Sequence, residues 1–381
     1  MNVRAQFSDP ANYEQVLRPN ASAHCLPAWC YGSEEFFELE RQRVFARSWV
    51  GVGRQELLPL TGDFRTLDVA GVPIIIIRGE DGDLRAFANS CRHRGMRLLE
   101  EKGNCRAIAC PFHGWKYKLD GRLLGVPHME QADGFDRNAY GLKPVRLETQ
   151  DGFVFVCLDE DQVSLAEWLG DFSERHAPYG FEKLRCTWQT TYEVECNWKP
   201  FVEVFMEYYH LQWVHGGTFD SIDYKAPVPH EQTSGQYTTV FGFHNEGSAA
   251  VIDEAAAPLP PIPGLSEVLQ RATRYTMIFP GFIMASTADC MWYFECHPLS
   301  SGKSRFILGT CFPEETIALP DFEERQKSYQ ERWHVAAMED IAVLERQQLG
   351  LTSPLAESGP LSHLEYAVGD LAKFIARQVT S

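Results

Sequence analysis

The chain has 381 residues, more than one domain usually holds, so at least two domains are expected. Hydrophobic residues make up 44% and charged residues 23%, a globular balance that argues against extended disorder. The formal net charge of −17 argues against nucleic acid and anionic membrane as partners.

Residues 1–45 begin irregular and then turn helical. Ser33 is placed to cap a helix over Glu34–Phe45, in which Phe36, Phe37, Val44 and Phe45 are the apolar positions. The opening MNVRAQFSDP lacks the apolar core of a secretion signal. The strongest apolar run, Val72–Ile77, is strand-length and far short of the ~18 residues of a membrane span. Eleven cysteines, an odd number in a chain too large to need staples, then point to a reducing, cytoplasmic setting and to metal before disulfide.

Residues 46–160 read as a small all-β domain. Short apolar runs alternate with turn signals at Gly71-Val72, Glu80-Asp81-Gly82-Asp83 and Asp120-Gly121, the spacing of a small barrel or sandwich. Gly51-Val52-Gly53 begins like a dinucleotide loop, but Glu56 takes the third-glycine position, so no nucleotide site is expected. Asp159–Leu184 connects to the remainder.

Residues 161–381 read as a larger α+β domain. Strand-like runs fall at Thr190–Glu195, Tyr275–Phe282, Cys290–Pro298 and Arg305–Cys311. One helix is expected to start near Pro200. Another is expected over Asp321–Leu349, with an acidic first turn and Gly350 as its stop. Ala255–Gly264, rich in Pro and Ala, reads as a loop over a pocket.

Two constellations carry chemistry. In the first, Cys91-x-His93 and Cys110-x-x-His113 are separated by sixteen residues. Each short loop offers one thiolate and one imidazole. A Rieske [2Fe–2S] centre needs two cysteines on one iron and two histidines on the other, and two hairpin tips can clamp it. Gly95 and Gly114 permit the tight turns, while Cys105, between the loops, reads as a small apolar residue. Zinc also takes this ligand set, but in its usual spacing the cysteines come as one pair and the histidines as another.

In the second, His210 and His215 are five apart, or ~500° at about 100° per residue on an ideal helix. They can share one ion only where the helix ends or distorts between them, and Gly216-Gly217 follows at once. Two histidines and one carboxylate leave open positions on iron for O2 and substrate. Glu339-Asp340 on the long helix offers that carboxylate, and helical periodicity does not choose between the two. Phe201, Phe205, Tyr208, Tyr209 and Trp213 are candidates for an aromatic cage or for core, with His244, Trp292 and Phe294 as further pocket candidates.

The Cys91–His93 and Cys110–His113 loops, with Arg94-Gly95 and Pro111-Phe112-His113-Gly114-Trp115, resemble the Rieske signature at every ligand. Asn197–His215, together with Glu339-Asp340-Ile341, Gln347 or Gln348 and Gly350, resembles the iron motif of Rieske non-haem iron oxygenase α-subunits. The likeness runs through nearly the whole chain in family order. It implies a [2Fe–2S] cluster on Cys91, His93, Cys110 and His113, and a mononuclear Fe(II) on His210, His215 and Asp340. It also implies that Glu207 bridges to His113 of the partner subunit in a homotrimer and so carries the electron.

Glu at position 207, where naphthalene-dioxygenase-type members have Asp, is similar to the oxygenases of quaternary ammonium compounds; Tyr208 and Leu211 depart from them. The implied activity is O2-dependent hydroxylation or oxidative demethylation of a small aromatic or quaternary ammonium substrate. Electrons would come from an NAD(P)H-dependent reductase, with or without a ferredoxin. The competing readings are cis-dihydroxylation, a Rieske electron carrier, and a zinc-stabilised binding module.

Overall fold

The computed structural model describes residues 6–216, 230–243 and 258–381. The chain divides into two compact units, one of residues 45–162 and the other of residues 1–44 with 163–381. The fold is of the α+β class, with a small sheet unit and a larger unit of antiparallel sheet and helices.

The smaller unit is all-β. Its strands are β1 (Val50–Arg54), β2 (Asp63–Val69), β3 (Val72–Arg78), β4 (Leu84–Ala88), β5 (Lys102–Asn104), β6 (Ile108–Ala109), β7 (Lys116–Tyr117), β8 (Leu123–Gly125), β9 (Pro144–Gln150) and β10 (Phe153–Cys157). They form one antiparallel sheet in the order β1-β10-β9-β4-β3-β2-β5 and a second, smaller one of β6-β7-β8. Strand β3 carries the Val72–Ile77 run, and Ile74 to Ile77 are fully buried, as β-branched residues on a two-sided surface should be. The two Cys/His loops are the β4–β5 and β6–β7 connections.

In the larger unit, β11 (Leu184–Val194), β12 (Tyr237–Phe243), β13 (Ala272–Ile278), β14 (Phe282–Ser286), β15 (Met291–Ser300) and β16 (Lys303–Pro313) form one antiparallel sheet in the order β11-β16-β15-β14-β13-β12. The expected run Tyr275–Phe282 is broken. Strand β13 ends at Ile278, and Phe279-Pro280-Gly281 turns the chain into β14. Strand β12 and a C-terminal helix, Tyr366–Thr380, went unpredicted; the helix is amphipathic and buries Leu371, Phe374, Ile375 and Val379. Asp159–Leu184 is not mere connection, because it holds short helices at Leu165–Leu169 and Phe172–His176. Pro258–Gly264 is a loop with Leu259 buried, whereas residues 255–257 lie outside the described residues.

The long helix runs Phe322–Leu351, passing through Gly350 instead of stopping there. The stop is made by Thr352, whose hydroxyl bonds the carbonyls of Gln348 and Leu349, each at 3.1 Å. The N-terminal helix is regular over Glu34–Glu40 and widens over Arg41–Phe45, with the Ser33 hydroxyl accepting from the Phe36 amide. The site helix starts at Trp198 and not at Pro200, because Asn197 caps it through the Lys199 amide at 3.1 Å.

A polar knot fixes these helices on one another. The Asn197 amide donates to Gln348 Oε1 at 2.9 Å, and Gln348 Nε2 donates to the Tyr31 carbonyl at 2.9 Å. Lys199 Nζ meets Glu40 Oε1 at 2.8 Å, both side chains fully buried, while the rings of Tyr31, Phe36 and Trp198 surround the ammonium at 5.0, 5.5 and 5.2 Å. Glu203 is buried beside them and accepts from the Tyr31 hydroxyl at 2.9 Å.

Two outcomes follow from this knot. Lys199→Met strands the Glu40 carboxylate in the core and should cost about 3–5 kcal/mol, whereas adding Glu40→Leu should recover much of that loss. Thermal or denaturant melts of the two variants check it, and equal losses would refute it. Burial pushes Glu203 up to about 7, against the opposing Tyr31 hydrogen bond and Lys199 charge. Its folded pKa therefore lies above the unfolded value of 4.5, so its contribution is full below that pH and is lost as pH rises through about 7. Stability of Glu203→Gln, measured against wild type across this window, should lack that decline. Parallel curves would sink the assignment.

Candidate metal centres

In the small unit the two loops are built alike. The Cys91 amide donates to the Met96 carbonyl at 2.8 Å and the Gly95 amide to the Cys91 carbonyl at 2.9 Å. The Cys110 amide bonds the Trp115 carbonyl at 2.7 Å and the Gly114 amide the Cys110 carbonyl at 3.1 Å. Gly95 and Gly114, expected in tight turns, have φ of +74° and +70°, in the left-handed region that favours glycine. Cys91 and Cys110 are buried, whereas His93 and His113 sit exposed at the tips with ring centroids 4.8 Å apart. His93 stacks on Trp115 at 5.0 Å, which fixes its ring plane.

The donor set therefore has a dry thiol end and a wet imidazole end. Among the described residues the one group of metal-ligating side chains drawn within 4.8 Å lies elsewhere, so these four donors do not converge on a single ion as a zinc site would. They fit a cluster with two irons of different ligation. Tyr117 was not anticipated. Its hydroxyl stands 3.3 Å from Cys91 Sγ and accepts from the Arg92 amide at 3.0 Å, placing a polar group against a thiol sulfur. Cys105 is half-buried and packs against this core.

In the larger unit the site helix ends at Val204, and a one-turn helix, Leu211–Val214, lies between the two histidines. His210 is its N-cap and His215 its C-cap. That resolves the five-residue spacing, because the histidines bracket a separate turn instead of sharing a long helix. His215 Nε2 stands 3.0 Å and His210 Nε2 3.7 Å from Asp340 Oδ1. Donor atoms that each lie about 2.0–2.2 Å from one ion at near right angles are about 3 Å apart, so the set has the dimensions of a metal site. Asp340 is buried, and its Oδ1 has no hydrogen-bond partner among the described residues. A desolvated carboxylate oxygen of this kind needs a cation, and the site fits one.

The outer carboxylates complete the geometry. Glu207 Oε1 lies 2.5 Å from His210 Nδ1, and Glu339 Oε2 lies 2.7 Å from His215 Nδ1. Each imidazole thus faces the common centre through Nε2 and a carboxylate through Nδ1, which holds ring and tautomer. Glu339, an alternative ligand in the sequence, takes the outer place and Asp340 the inner one. Residues 208–210 form a bend instead of continuing the site helix. Glu207 Oε2 there accepts from the backbone amides of Tyr209 and His210, the latter at 3.1 Å. Burial depresses the basicity of His210, but the Glu207 hydrogen bond and the charges of Glu207 and Asp340 outweigh it and the net shift is upward. The surroundings favour positive charge.

Glu207, His210 and Asp340 form a wall between two cavities. One encloses ≈ 430 Å³, including its open mouth, and is walled by Phe205, Tyr208, Tyr275, Trp292, Trp333 and Arg332. The other is acidic, with Glu203, Glu357 and Glu365 on its walls. Of the sequence candidates, Phe205, Tyr208 and Trp292 reach the aromatic pocket. Phe201 is core, stacked on Phe306 at 3.6 Å, and Phe294 packs on Phe201 and Phe205. Tyr209 and Trp213 are exposed at 52% and 77%, too open to wall a cage. His244 lies outside the described residues. Tyr275 and Arg332 were missed; for Arg332 the signal was its place two turns before Asp340 on the same helix.

Both parts of the chain match known protein families. Residues 48–145 match the Rieske [2Fe-2S] domain, and residues 181–381 match the ring hydroxylating alpha subunit (catalytic domain). The glycine betaine monooxygenase oxygenase subunit of Pseudomonas aeruginosa is 37% identical over 201 residues, 52% of this chain and 47% of that protein. The 2-aminobenzenesulfonate 2,3-dioxygenase subunit alpha of an Alcaligenes species is 37% identical over 211 residues, 54% of this chain and 52% of that protein. These matches span about half the length of the curated relatives. The solved structure of a quaternary ammonium Rieske monooxygenase, described for carnitine oxidation by gut microbiota, superposes with a TM-score of 0.81 at 27% identity, over 93% of this chain and 95% of that one. The cofactors of such proteins are the [2Fe–2S] cluster and a mononuclear iron, and the chain belongs to the family of ring-hydroxylating alpha subunits with an N-terminal Rieske domain.

Proposed function

We propose that this chain is the terminal oxygenase component of a multicomponent Rieske oxygenase. The observation that carries the reading is the buried His210–His215–Asp340 set at the wall of an aromatic pocket, in a chain that also bears a Rieske domain. In this reading Cys91, His93, Cys110 and His113 hold the cluster, and His210, His215 and Asp340 hold the iron. Iron held there supplies the reductive activation of O2. Hydroxylation then balances as one oxygen atom inserted into a C–H bond and the other released as water, with two electrons and two protons supplied. The cluster that these four residues would hold would supply one-electron transfer, with an NAD(P)H-dependent reductase as the donor, directly or through a ferredoxin.

The chain's own residues do the positioning. Glu207 and Glu339 fix the two imidazoles, Asp340 supplies the anionic ligand, and Phe205, Tyr208 and Trp292 exclude water from the reacting face. Glu207 also borders the acidic cavity behind the metal set, a position from which it meets His113 of the partner subunit in a homotrimer. Relatives named for monooxygenation of glycine betaine and carnitine favour hydroxylation or oxidative demethylation, and the 2,3-dioxygenase relative keeps cis-dihydroxylation as the second reading. The Asp340 geometry weighs against a mere electron carrier, which has no use for a second metal set. No helix among the described residues is long and apolar enough to cross a membrane, and we place the protein in the cytoplasm on its cysteine content.

The test is substrate-dependent O2 uptake with a generic reductase, on protein analysed for about three irons and two labile sulfides per chain. Iron near two per chain, with no uptake, would return the carrier reading. Asp340→Ala should remove the mononuclear iron and lower O2 uptake by more than about 100-fold while leaving the cluster's absorption and EPR signals. Unchanged activity would refute the ligand assignment. Glu207→Gln should keep both metals yet slow single-turnover oxidation of the reduced cluster by about 10–100-fold, and a wild-type rate would rule out the bridge.

A further inference from the structure

We propose that the aromatic pocket takes an organic acid, a carboxylate or sulfonate, whose head group is held by Arg332 with the indole N–H groups of Trp292 and Trp333. The carbon skeleton then extends toward His210, His215 and Asp340. The inference rests on the oxygenase reading for the fate of the skeleton, but not for binding.

The long helix acts as a ruler. Arg332, Ala336 and Asp340 follow one another at i, i+4 and i+8, so they share a stripe, and all three wall the pocket. Two turns and a fraction separate the backbone positions of Arg332 and Asp340 by about 12 Å along the axis. Between them on that stripe the helix presents Ala336, a small side chain.

The charge at the far end is unusual for an apolar pocket. Arg332 is 2% exposed, and its guanidinium lies 4.7 Å over the Trp333 ring. Burial pulls it down to about 10, opposed by Tyr275, Cys290 and Glu339. That value still leaves it cationic at neutral pH. The two indoles adjoin it, with Trp292 and Trp333 ring centroids 4.5 Å apart. Both Nε1 atoms are buried and have no acceptor among the described residues. An indole nitrogen can only donate. Two buried donors and a cation in one corner are complementary to oxygen acceptors carrying negative charge, and a guanidinium fork matches the planar pair of a carboxylate or sulfonate.

The other end of the pocket has the opposite sign, from Asp340 and Glu207. An aromatic acid fits with its ring toward the metal set. A betaine fits with its acid on Arg332 and its ammonium near the carboxylates. A simple cation or a neutral alcohol brings no anionic oxygen to the two indole N–H groups.

Matched pairs separate these cases. With iron-loaded holoenzyme, tryptophan fluorescence or calorimetry measures glycine betaine against choline and benzoate against benzyl alcohol. We expect the acid of at least one pair to bind about 10-fold or more tightly than its partner, and the tighter acid identifies the zwitterionic or the aromatic class. Equal or reversed preference in both pairs, or no acid binding at millimolar concentration, overturns the proposal. Arg332→Gln should abolish the preference while leaving the weaker partner unchanged, and a retained preference overturns it. Should that variant not fold, Trp292→Phe removes one N–H in place and should weaken acid binding about 3- to 10-fold; unchanged binding overturns the indole assignment. Acid binding without O2 uptake sinks the oxygenase reading and spares this one, whereas turnover of choline or benzyl alcohol alone does the reverse.

Discussion

A carboxylate taken almost wholly out of water governs the larger unit. Asp340 is 2% exposed, and its Oδ1 finds no hydrogen-bond donor among the described residues. Such a group is tolerable only beside positive charge. The surrounding architecture brings two imidazoles to it and holds them with their Nε2 atoms inward. The break after Val204, the separate turn from Leu211 to Val214, and the outer carboxylates Glu207 and Glu339 all serve that geometry. A centre organised this way is costly without a cation and strong with one.

Precision at that centre depends on rigidity further out. Asn197 and Gln348 tie the start of the site helix to the end of the long helix, and Gln348 also reaches Tyr31 in the N-terminal segment. The buried Glu40–Lys199 pair locks the same helix start from the other side. Buried ion pairs seldom add net stability. Here the pair instead fixes the register of the helix from which the loop bearing both histidines departs. The N-terminal residues are therefore part of the catalytic unit's framework, although the whole β unit separates them from it in sequence.

The pocket is polarised. Its metal end is anionic and its far end carries Arg332, with aromatic walls between. The aromatic residues alone are compatible with a caged ammonium or an aromatic ring. In the proposed binding mode the two indole N–H groups beside the guanidinium add a preference for an acid, whichever skeleton is bound. The same long helix supplies the metal-site carboxylate, the outer carboxylate and the guanidinium, so a shift of that helix would move all three together.

The sequence alone determined what depends on residue type and short spacing. The Cys91–His93 and Cys110–His113 loops were legible because each pair is local and each turn needs its glycine. The β character of the small domain and the long helix followed from apolar runs and periodicity. The histidine pair was legible as a pair, and the family resemblance selected Asp340. Tertiary structure alone decided the rest, because it depends on neighbours far apart in sequence. Packing put Asp340 inward and Glu339 outward from adjacent helical positions. It moved the helix stop from Gly350 to Thr352, since a glycine continues a helix when the capping bonds form later. It sent Phe201 into the core and left Trp213 in solvent, a difference no local pattern marks. It also carried Arg332 into the pocket wall, where a charge that reads as surface in a charged helix is buried against the Trp333 ring.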